Sequence, residues 1–396
     1  MTSIHVERQA NIHGRIEEKQ SFTPKQIASV ISRRFQELII LPTEKCNFRC
    51  TYCYEDFKIG KMSVVTQRAL ELFVERRAPG LEKLVFSWFG GEPLVAHDVV
   101  LRLARFADRI CDAQGVQFSG GLTTNGFLLT RSLFEDLLSC KQDFFQITLD
   151  GWGKTHDQVR KFADGRGTFD TIWKNLEAMK SVKGHFEVVL RIHVRRDNIE
   201  ALPVLMRKVA GTFGDDNRFR MDFEHVRDLG GAGGASVKQP VHLKELHEVE
   251  KRLRQIYREE LRKLNGVVDS IAVDVGAVTE IQEEENLALL KQKMAGESAG
   301  SRRASDIALG QPYICYAAKA NSLLIRANGR VGKCTVALSD ERNDIGHIKP
   351  DGSFEIFNEK LKPWMRGLSN LDEEALTCPL KDMHKVRTPQ LSTNHG

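Results

Sequence analysis

Apolar and polar positions follow two periods along the chain, one typical of strands and one typical of helices. Between residues 37 and 226, short apolar runs of strand length alternate with stretches in which apolar residues recur every three or four positions. The runs predict strands at 37–42, 83–89, 116–122, 144–149, 186–194 and 218–226. The longer stretches predict helices at 62–77, 97–112, 131–140, 169–179 and 199–210. This alternation predicts a parallel sheet in an α/β fold, in the form of a partial, open (β/α)6 barrel.

The pattern changes after residue 230. The GGAGG stretch from Gly230 to Gly234 predicts a hinge or loop, because no helix start and lysine follow in the register of a phosphate-binding loop. The pattern predicts a charged amphipathic helix at 241–264 and a further helical segment at 265–300. Short strands are predicted at 322–326, 331–333 and 354–357. We therefore expect an N-terminal segment (1–36), a barrel domain (37–230), a helical linker (231–305) and a small α+β domain (306–396).

Composition narrows the classes of function. The chain has 396 residues and a net charge of +5, from 58 basic and 53 acidic residues, which is too balanced to favour a nucleic-acid partner. No apolar run is long enough to predict a membrane span, and the N-terminal residues have no apolar signal-peptide core. Eight cysteines in such a chain favour metal or cluster ligands in a reducing compartment, so we expect a cytoplasmic protein.

Three of these cysteines stand close together after the first predicted strand. Cys46, Cys50 and Cys53 have the spacing C-x3-C-x2-C. Four cysteines would saturate a four-iron cubane as in a ferredoxin, whereas three leave one iron open to a further ligand. A zinc site usually has a fourth cysteine or histidine nearby, and the nearest downstream histidine is His97. The spacing therefore favours a cluster with an open iron.

This spacing, with Tyr52 before the third cysteine, resembles the radical S-adenosylmethionine (SAM) superfamily. The resemblance implies that the three thiolates hold a 4Fe-4S cluster whose open iron binds SAM. It further implies that an electron donor, such as flavodoxin or ferredoxin, drives cleavage of SAM to a 5′-deoxyadenosyl radical. The fold that it implies is the partial (β/α)6 radical SAM barrel.

Further polar motifs fall at the carboxyl ends of the predicted strands, where barrels of this kind place their chemistry. Glu92, in a stretch similar to the family's GGEP motif, is expected to accept from the SAM ammonium, and the backbone of Tyr52 to contact adenine. Arg191 is expected to pair with the SAM carboxylate. The other SAM contacts that the resemblance implies are Gly90, Gly91, Pro93, Thr124, Asn125, Thr148 and Asp150. Ordinary turn chemistry is the alternative for most of these residues.

Two regions resemble one subgroup, the peptide and protein maturases with a SPASM or twitch domain at the C-terminus. The first is the LDG…HD..R…G.GTF pattern from Leu149 to Phe169. Within it, His156, Asp157 and Arg160 are expected to cap a helix and form ion pairs. The second region contains Cys315, Cys334 and Cys378.

The C-terminal region departs from the full SPASM pattern, because Lys381 stands where a further cysteine is expected. At most one auxiliary cluster can therefore be held, by Cys315, Cys334 and Cys378. Its fourth ligand would be Asn321, Asp382, His384 or a substrate. The alternative is that the domain has lost its cluster.

The sequence thus predicts a radical SAM maturase that cross-links, epimerises or oxidises a ribosomal peptide or protein side chain. A formylglycine-forming enzyme similar to anaerobic sulfatase maturases is one alternative, and a non-catalytic iron–sulfur or zinc module is another. A precursor peptide or protein is the expected partner, with a separate peptide-recognition protein as a further one.

Asp222 and Glu224 are candidate catalytic residues on the sixth strand, with surface salt bridging as the alternative. Cys111 and Cys140 are expected to be buried core residues.

Overall fold

The computed structural model describes residues 22–266 and 313–383. A short helix, α1 (Pro24–Ile31), precedes the first strand. Six strands then alternate with helices, as their patterns predict. The strands are β1 (Phe35–Ile40), β2 (Lys83–Trp88), β3 (Gln117–Thr124), β4 (Gln142–Leu149), β5 (Glu187–Val194) and β6 (Phe219–His225). The helices among them are α2 (Val64–Arg77), α3 (His97–Ala113), α4 (Arg131–Ser139), α5 (Lys154–Asp157), α6 (Phe169–Lys180) and α7 (Leu202–Phe213).

The six strands lie side by side in chain order, and every neighbouring pair is parallel. The sheet is open, because β6 is at its edge. This arrangement confirms the predicted α/β class and the partial (β/α)6 barrel. All six strands end at the same rim, so the loops that follow them meet there.

Each strand has one face toward the helices and one toward the interior of the barrel. In β4, Phe145, Ile147 and Leu149 pack in the main hydrophobic core, while Gln146 and Thr148 alternate with them and face the lumen. Cys111 in α3 and Cys140 at the end of α4 are buried in the same core, as predicted. The lumen is therefore lined by polar residues such as Gln146 and Thr123 together with apolar ones such as Phe144.

The C-terminal strands extend this sheet. Strand β7 (Ser322–Ile325) runs parallel to β1, with Glu37 opposite Ser322. The strands β8 (Arg330–Gly332), β9 (Gly346–Ile348) and β10 (Phe354–Ile356) continue it in antiparallel order, so one sheet has ten strands. Gly329, with φ of +84°, makes the hairpin turn between β7 and β8. The remaining helices are α8 (Gly231–Gly234), α9 (Leu243–Gly266), α10 (Asn358–Asn370), α11 (Glu373–Thr377) and α12 (Pro379–Asp382).

The prediction for the GGAGG stretch was wrong. Gly231–Gly234 is the short helix α8, and it packs tightly on the cysteine loop. The backbone N–H of Gly233 donates to the carbonyl of Cys53 at 3.1 Å, and a Cβ on Gly233 would lie 2.4 Å from the nitrogen of Cys53. The glycines therefore permit close packing where a hinge was expected. Helix α9 covers the predicted helix at 241–264, whereas most of the predicted segment 265–300 lies outside the described residues.

In the described ranges, 22–266 and 313–383, no helix combines the length and apolar character that a membrane span requires.

Candidate functional site

The cysteine loop lies between β1 and α2, at the carboxyl rim of the barrel. Its backbone is held in place from several sides. The Arg49 guanidinium donates to the carbonyl of Cys46 at 2.8 Å, and the backbone N–H of Thr51 donates to the carbonyl of Val159 at 3.0 Å. All three cysteines of the loop are partly exposed and free of disulfides. The loop thus presents three fixed thiols at the rim where the other motifs meet.

The three thiols lie close enough to influence one another. Burial raises the pKa of Cys46, and Glu92, Cys50 and Cys53 raise it further. Burial raises the pKa of Cys53 to about 11, with Cys50 among the further causes. These thiols are therefore protonated without a cation, and a bound cation would convert them to the thiolates that iron and zinc require. As a donor set, they fit a cluster.

A four-iron cluster does not require its three thiol ligands to surround a single metal position. Across the part of the chain that the structure describes, no three His, Cys, Asp or Glu side chains surround a position for a single metal ion. In a cubane each thiolate binds a different iron, so the ligands stand further apart than around one ion.

The GGEP stretch after β2 packs against the same loop. A Cβ on Gly90, which has φ of +115°, would lie 2.3 Å from the carbonyl oxygen of Thr43. A Cβ on Gly91 would lie 2.7 Å from the carbonyl oxygens of both Glu44 and Lys45. Both glycines are therefore needed for close contact between two loops of the chain itself. Pro93 begins the short 3-10 helix that follows.

Glu92 is almost fully buried and accepts three hydrogen bonds from the protein. Its Oε1 accepts from the backbone N–H of Leu94 at 3.0 Å and from the hydroxyl of Thr124 at 2.7 Å. Its Oε2 accepts from the backbone N–H of Asn125 at 2.6 Å. Burial raises the pKa of Glu92, while these donors lower it. Glu92 thus joins the loops after β2 and β3, and the side-chain amide of Asn125 joins them in turn to Asn47 at 2.8 Å.

Asp150 lies at the end of β4, fully buried among cationic and polar groups. The hydroxyl of Tyr52 donates to its Oδ1 at 2.8 Å, and Arg195 forms an ion pair with its Oδ2. Arg160 donates to the same Tyr52 hydroxyl at 3.0 Å, and Nδ1 of His193 lies 3.0 Å from it. The Tyr52 side chain therefore links the cysteine loop to the ends of β4 and β5.

His156, Asp157 and Arg160 have the structural roles that were predicted for them. Asp157 accepts from the backbone N–H groups of Thr168 and Phe169 at the start of α6, at 2.7 and 3.0 Å. His156 accepts from the backbone N–H of Asp150 at 3.3 Å, and burial lowers its pKa to about 3. The cluster caps a helix and orients Asp150.

Arg191 and Asp222 face each other across adjacent positions of β5 and β6. The guanidinium of Arg191 donates from Nε at 2.9 Å and from Nη2 at 2.6 Å to one carboxylate oxygen of Asp222. Glu224, two residues on, lies 3.6 Å from the guanidinium of Arg227. Thr148 is buried on the lumen face of β4. Arg191, the expected partner of the SAM carboxylate, and Asp222, a candidate catalytic residue, are thus joined in one ion pair.

Sequence reasoning missed His193, Arg195 and Asn198. Asn198 donates to the carbonyls of Asp150 and His193 at 2.8 and 2.9 Å and so fastens the end of β4 to the end of β5. The available signal was the period of two in β5, because Arg191, His193 and Arg195 alternate with apolar residues. That period puts all three on the lumen side.

A second thiol triad forms in the C-terminal region. Cys315, Cys334 and Cys378 come from three separate segments, and the backbone N–H of Cys315 donates to the carbonyl of Leu376 at 2.8 Å. Burial raises the pKa of Cys315 to about 12, and Cys334 and Cys378 both add to it. The fold therefore brings these three thiols together. We keep one auxiliary cluster on them as a proposal.

The candidate fourth ligands differ in what the structure says of them. The amide nitrogen of Asn321 donates to the carbonyls of Ser29 and Ser32 at the end of α1, at 2.8 and 3.2 Å. The backbone of Asp382 ends α12, and His384 lies outside the described residues.

The two triads face a common region. Burial raises the pKa of Tyr54 well above its usual value, and Glu55, Cys53 and Cys334 each raise it further. Tyr54 therefore lies within electrostatic range of one thiol from each triad. Helix α8 holds this part of the loop, because a Cβ on Gly231 would lie 2.2 Å from the carbonyl oxygen of Tyr54.

Comparisons with known proteins bear on the family and the fold of this chain. The sequence model of the radical SAM superfamily matches residues 40–209. The Fe-coproporphyrin III synthase of Methanosarcina barkeri is 25% identical over 205 residues, which are 51% of this chain and 47% of that protein. A cysteine-type anaerobic sulfatase-maturating enzyme of Clostridium novyi is 25% identical over 160 residues, 38% of this chain and 42% of that protein. The chain thus spans less than half the length of these curated relatives.

Solved structures show the same fold over more of the chain. The structure of anSMEcpe with bound AdoMet has a TM-score of 0.56 at 18% identity and covers 84% of each chain. Streptococcus suis SuiB bound to the precursor peptide SuiA has a TM-score of 0.53 at 16% identity, covering 86% of this chain and 68% of SuiB. The solved structures thus show a shared fold, and the family model identifies residues 40–209 of this chain as a radical SAM domain.

Proposed function

We propose that this radical SAM enzyme modifies a side chain of a ribosomal peptide or protein, starting with hydrogen abstraction from Cα or Cβ. The product would be a cross-link, an epimerised residue or an oxidised one. The supporting observation is that the second thiol triad lies beside the barrel lumen. Tyr316 and Thr335, which directly follow Cys315 and Cys334, line a cavity in the lumen together with Phe144 and Gln146 of β4. An auxiliary cluster on this triad would be a second redox site beside the lumen, and it would suit reactions whose product is oxidised.

The first thiol triad, Cys46, Cys50 and Cys53, would hold the 4Fe-4S cluster, with SAM on its open iron. Bound together, these groups supply a 5′-deoxyadenosyl radical. The chain itself holds the loops in place: Glu92 joins two of them, and the network around Asp150 joins the cysteine loop to β4 and β5. An external electron donor and a separate peptide-recognition protein remain part of the proposal.

The named neighbours support a peptide substrate. One anSMEcpe structure contains the Cp18Cys peptide, and SuiB is bound to SuiA. The relative from Clostridium novyi favours a second candidate function, formation of formylglycine in the manner of a sulfatase maturase. A non-catalytic cluster module is the alternative of a different class.

Anaerobic reconstitution followed by an assay for 5′-deoxyadenosine tests the proposal. We expect the reduced, cluster-loaded protein to release 5′-deoxyadenosine from SAM, and Cys50→Ala to abolish this activity. Cys111→Ala is the matched control, because Cys111 is buried in the core away from both triads and should leave SAM cleavage unchanged. A cluster-loaded wild-type protein that does not cleave SAM would eliminate both enzyme functions.

The iron content tests the second triad separately. About eight irons per chain indicate two clusters, and about four indicate the first alone. We expect Cys315→Ala to lower the count from about eight to about four. A count that stays near eight in this variant would contradict the assignment of Cys315 as a ligand.

A further inference from the structure

A short antiparallel bridge joins the cysteine loop to the segment between α5 and α6. Phe48 lies opposite Phe162, and the backbone N–H of Arg49 donates to the carbonyl of Lys161 at 2.7 Å. The rings of Phe48 and Phe162 pack edge to face with centroids 5.4 Å apart, and Phe48 is buried in the main core. Since successive side chains of a strand point to opposite faces, Arg49 and Lys161 lie opposite each other on the face away from that core.

Two cations that face each other across paired strands repel one another. The Arg49 guanidinium is held in this position by the loop itself. It donates to the carbonyls of Cys46 and Phe48 at 2.8 and 2.6 Å, and it lies 4.5 Å from the centroid of the Phe57 ring. The fold therefore fixes one positive charge beside another, at the exposed surface of the loop.

Two more lysines stand beside this pair. Lys45 is exposed and directly precedes the residue whose carbonyl contacts the Arg49 guanidinium. Lys238 is exposed two residues after Ser236, whose hydroxyl donates to the carbonyl of Thr51 at 3.0 Å. We call these four cations the loop cation patch: Lys45, Arg49, Lys161 and Lys238.

The carboxylates around the loop cation patch leave its charge uncompensated. None of the four cations forms an ion pair with a residue of 22–266 or 313–383. Of the acids close by, Asp164 is paired with Arg166 at 2.7 Å and Asp56 with Lys58 at 3.2 Å. Asp228 is exposed and accepts from a backbone N–H of its own turn at 2.8 Å. The patch therefore has an excess of positive charge that a partner could neutralise.

The loop cation patch lies directly outside the first thiol triad. Cys50 stands between Arg49 and Thr51, which are both exposed. The same alternation that turns Arg49 outward turns Cys50 inward, on the face of Phe48. An electron that arrives at the patch therefore has only this loop to cross before it reaches a cluster on the first triad.

We propose that the loop cation patch is the docking surface of an acidic electron-carrier protein of the ferredoxin class, which reduces the first cluster. One electron leaves the reduced carrier, which becomes oxidised, and enters the first cluster, which becomes reduced. No bond forms or breaks, and no proton moves. The inference rests on the part of the proposed function that puts a 4Fe-4S cluster on the first triad, and it adds the surface and the charge through which the electron donor binds.

The number and the position of the charges favour this partner over other anions. A protein that binds nucleic acid through about 6–10 phosphate contacts needs more cations than the patch has. An acidic substrate peptide on this face would be outside the loop, whereas the residue to be modified has to reach the lumen. A carrier protein gains from this position because it needs only to approach the cluster.

Stopped-flow reduction of the reconstituted cluster tests the inference. The probe is an acidic, low-potential ferredoxin that is reduced beforehand. Its second-order rate constant is measured anaerobically on the full chain, without SAM and without peptide. We expect the wild-type rate constant to fall about tenfold between about 50 mM and about 500 mM NaCl, because salt screens the charges that steer the two proteins together.

The double variant Lys161→Glu with Lys238→Glu reverses two charges of the patch. We expect its rate constant at low salt to be about tenfold below that of the wild type and to depend only weakly on salt. Lys161→Glu also gives Arg49 a carboxylate across the bridge, so the fold should be kept, which circular dichroism checks. The matched control is Lys25→Glu on α1, an exposed position at the other end of the barrel, which should keep the wild-type rate constant.

Dithionite separates docking from damage to the cluster, because it should reduce all three proteins to the same extent. Equal ferredoxin rate constants for the double variant and Lys25→Glu at low salt would overturn the inference. So would a wild-type rate constant that salt leaves unchanged, or a wild-type cluster that dithionite reduces and ferredoxin does not. Unchanged ferredoxin kinetics, with binding of labelled single-stranded DNA lost in the double variant, would assign the patch to a nucleic acid instead. If a variant loses its cluster, the wild-type salt series still decides.

This outcome is separable from that of the proposed function, because the rate constants require neither SAM nor peptide. Reduction that depends on the patch, without modification of any peptide, would support the docking surface and count against the maturase. Peptide modification by the dithionite-reduced protein, without dependence on the patch, would count against the docking surface alone.

Discussion

A buried ion pair joins the cysteine loop to the C-terminal region, and its removal should destabilise the whole fold. Glu44 lies two residues before Cys46, and Arg326 directly follows β7. Arg326 contacts both carboxylate oxygens of Glu44, from Nε at 2.9 Å and from Nη2 at 2.6 Å. Its Nη1 also donates to the carbonyl of Leu338 at 2.6 Å. The side chains of Glu44 and Arg326 are 1% and 12% exposed, so solvent screens the pair only weakly.

The structure determines how large the effect should be. Arg326→Met leaves the buried Glu44 carboxylate without its cation, and breaking a buried pair in this way costs about 3–5 kcal/mol. Replacing both partners, as Glu44→Gln with Arg326→Met, removes the buried charge as well and should cost about 1–2 kcal/mol. The two single changes are therefore strongly non-additive.

Urea denaturation followed by circular dichroism measures these free energies of unfolding. The matched control is Arg330→Met, which breaks the exposed pair of Arg330 with Asp344 on the same hairpin and should cost less than about 1 kcal/mol. The reasoning is refuted if Arg326→Met costs no more than Arg330→Met. It also fails if the double variant costs the sum of the two single variants.

Three further predictions follow from the packing of the site. His156 stays neutral in the fold down to pH of about 3, whereas in the unfolded chain it takes up a proton below about 6.5. Stability should therefore fall by about 1.4 kcal/mol per pH unit on acidification below 6.5, and urea unfolding at pH 7.5 and 5 should show about 2 kcal/mol less of this loss in His156→Asn. Gly233→Ala should push the cysteine loop away from α8 and lower the iron retained after gel filtration, while Gly60→Ala, with open space around its Cβ, should retain it; equal iron in both would contradict the packing argument. Glu92→Gln should cost about 1–3 kcal/mol in urea unfolding, because an amide nitrogen replaces one of the two carboxylate oxygens and cannot accept from the donors that this oxygen had. A loss of SAM affinity without this loss of stability would assign Glu92 to the ligand alone.

The barrel could be predicted because its signals are local. The alternation of β-type and helix-type periods determines the order of β1 to β6, and parallel pairing follows from the helical crossovers. The rim site is predictable for the same reason, since each motif directly follows a strand. The ion pair between Arg191 and Asp222 could also have been predicted, because the two residues occupy adjacent lumen positions of β5 and β6.

Other features depend on contacts between distant parts of the chain. The pairing of β7 with β1 places Glu37 opposite Ser322, and no local sequence pattern predicts a pairing between such distant residues. The packing of α8 on the cysteine loop likewise depends on a contact between Gly233 and Cys53. A GGAGG stretch has the same composition in a hinge and in a tightly packed helix, so its surroundings decide between them.

The ion pair on β5 and β6 bears on two of the proposed roles at once. Arg191 uses Nε and Nη2 on Asp222, so a SAM carboxylate could be bound only through the remaining edge of the guanidinium or by displacing Asp222. If the carboxylate displaced it, Asp222 would become an unpaired carboxylate in the lumen and a candidate base. If the carboxylate shared the guanidinium, Asp222 would stay paired and serve only to position Arg191. Asp222→Asn distinguishes the two cases, because it should strengthen SAM binding where the anions compete and weaken it where Asp222 holds Arg191 in place.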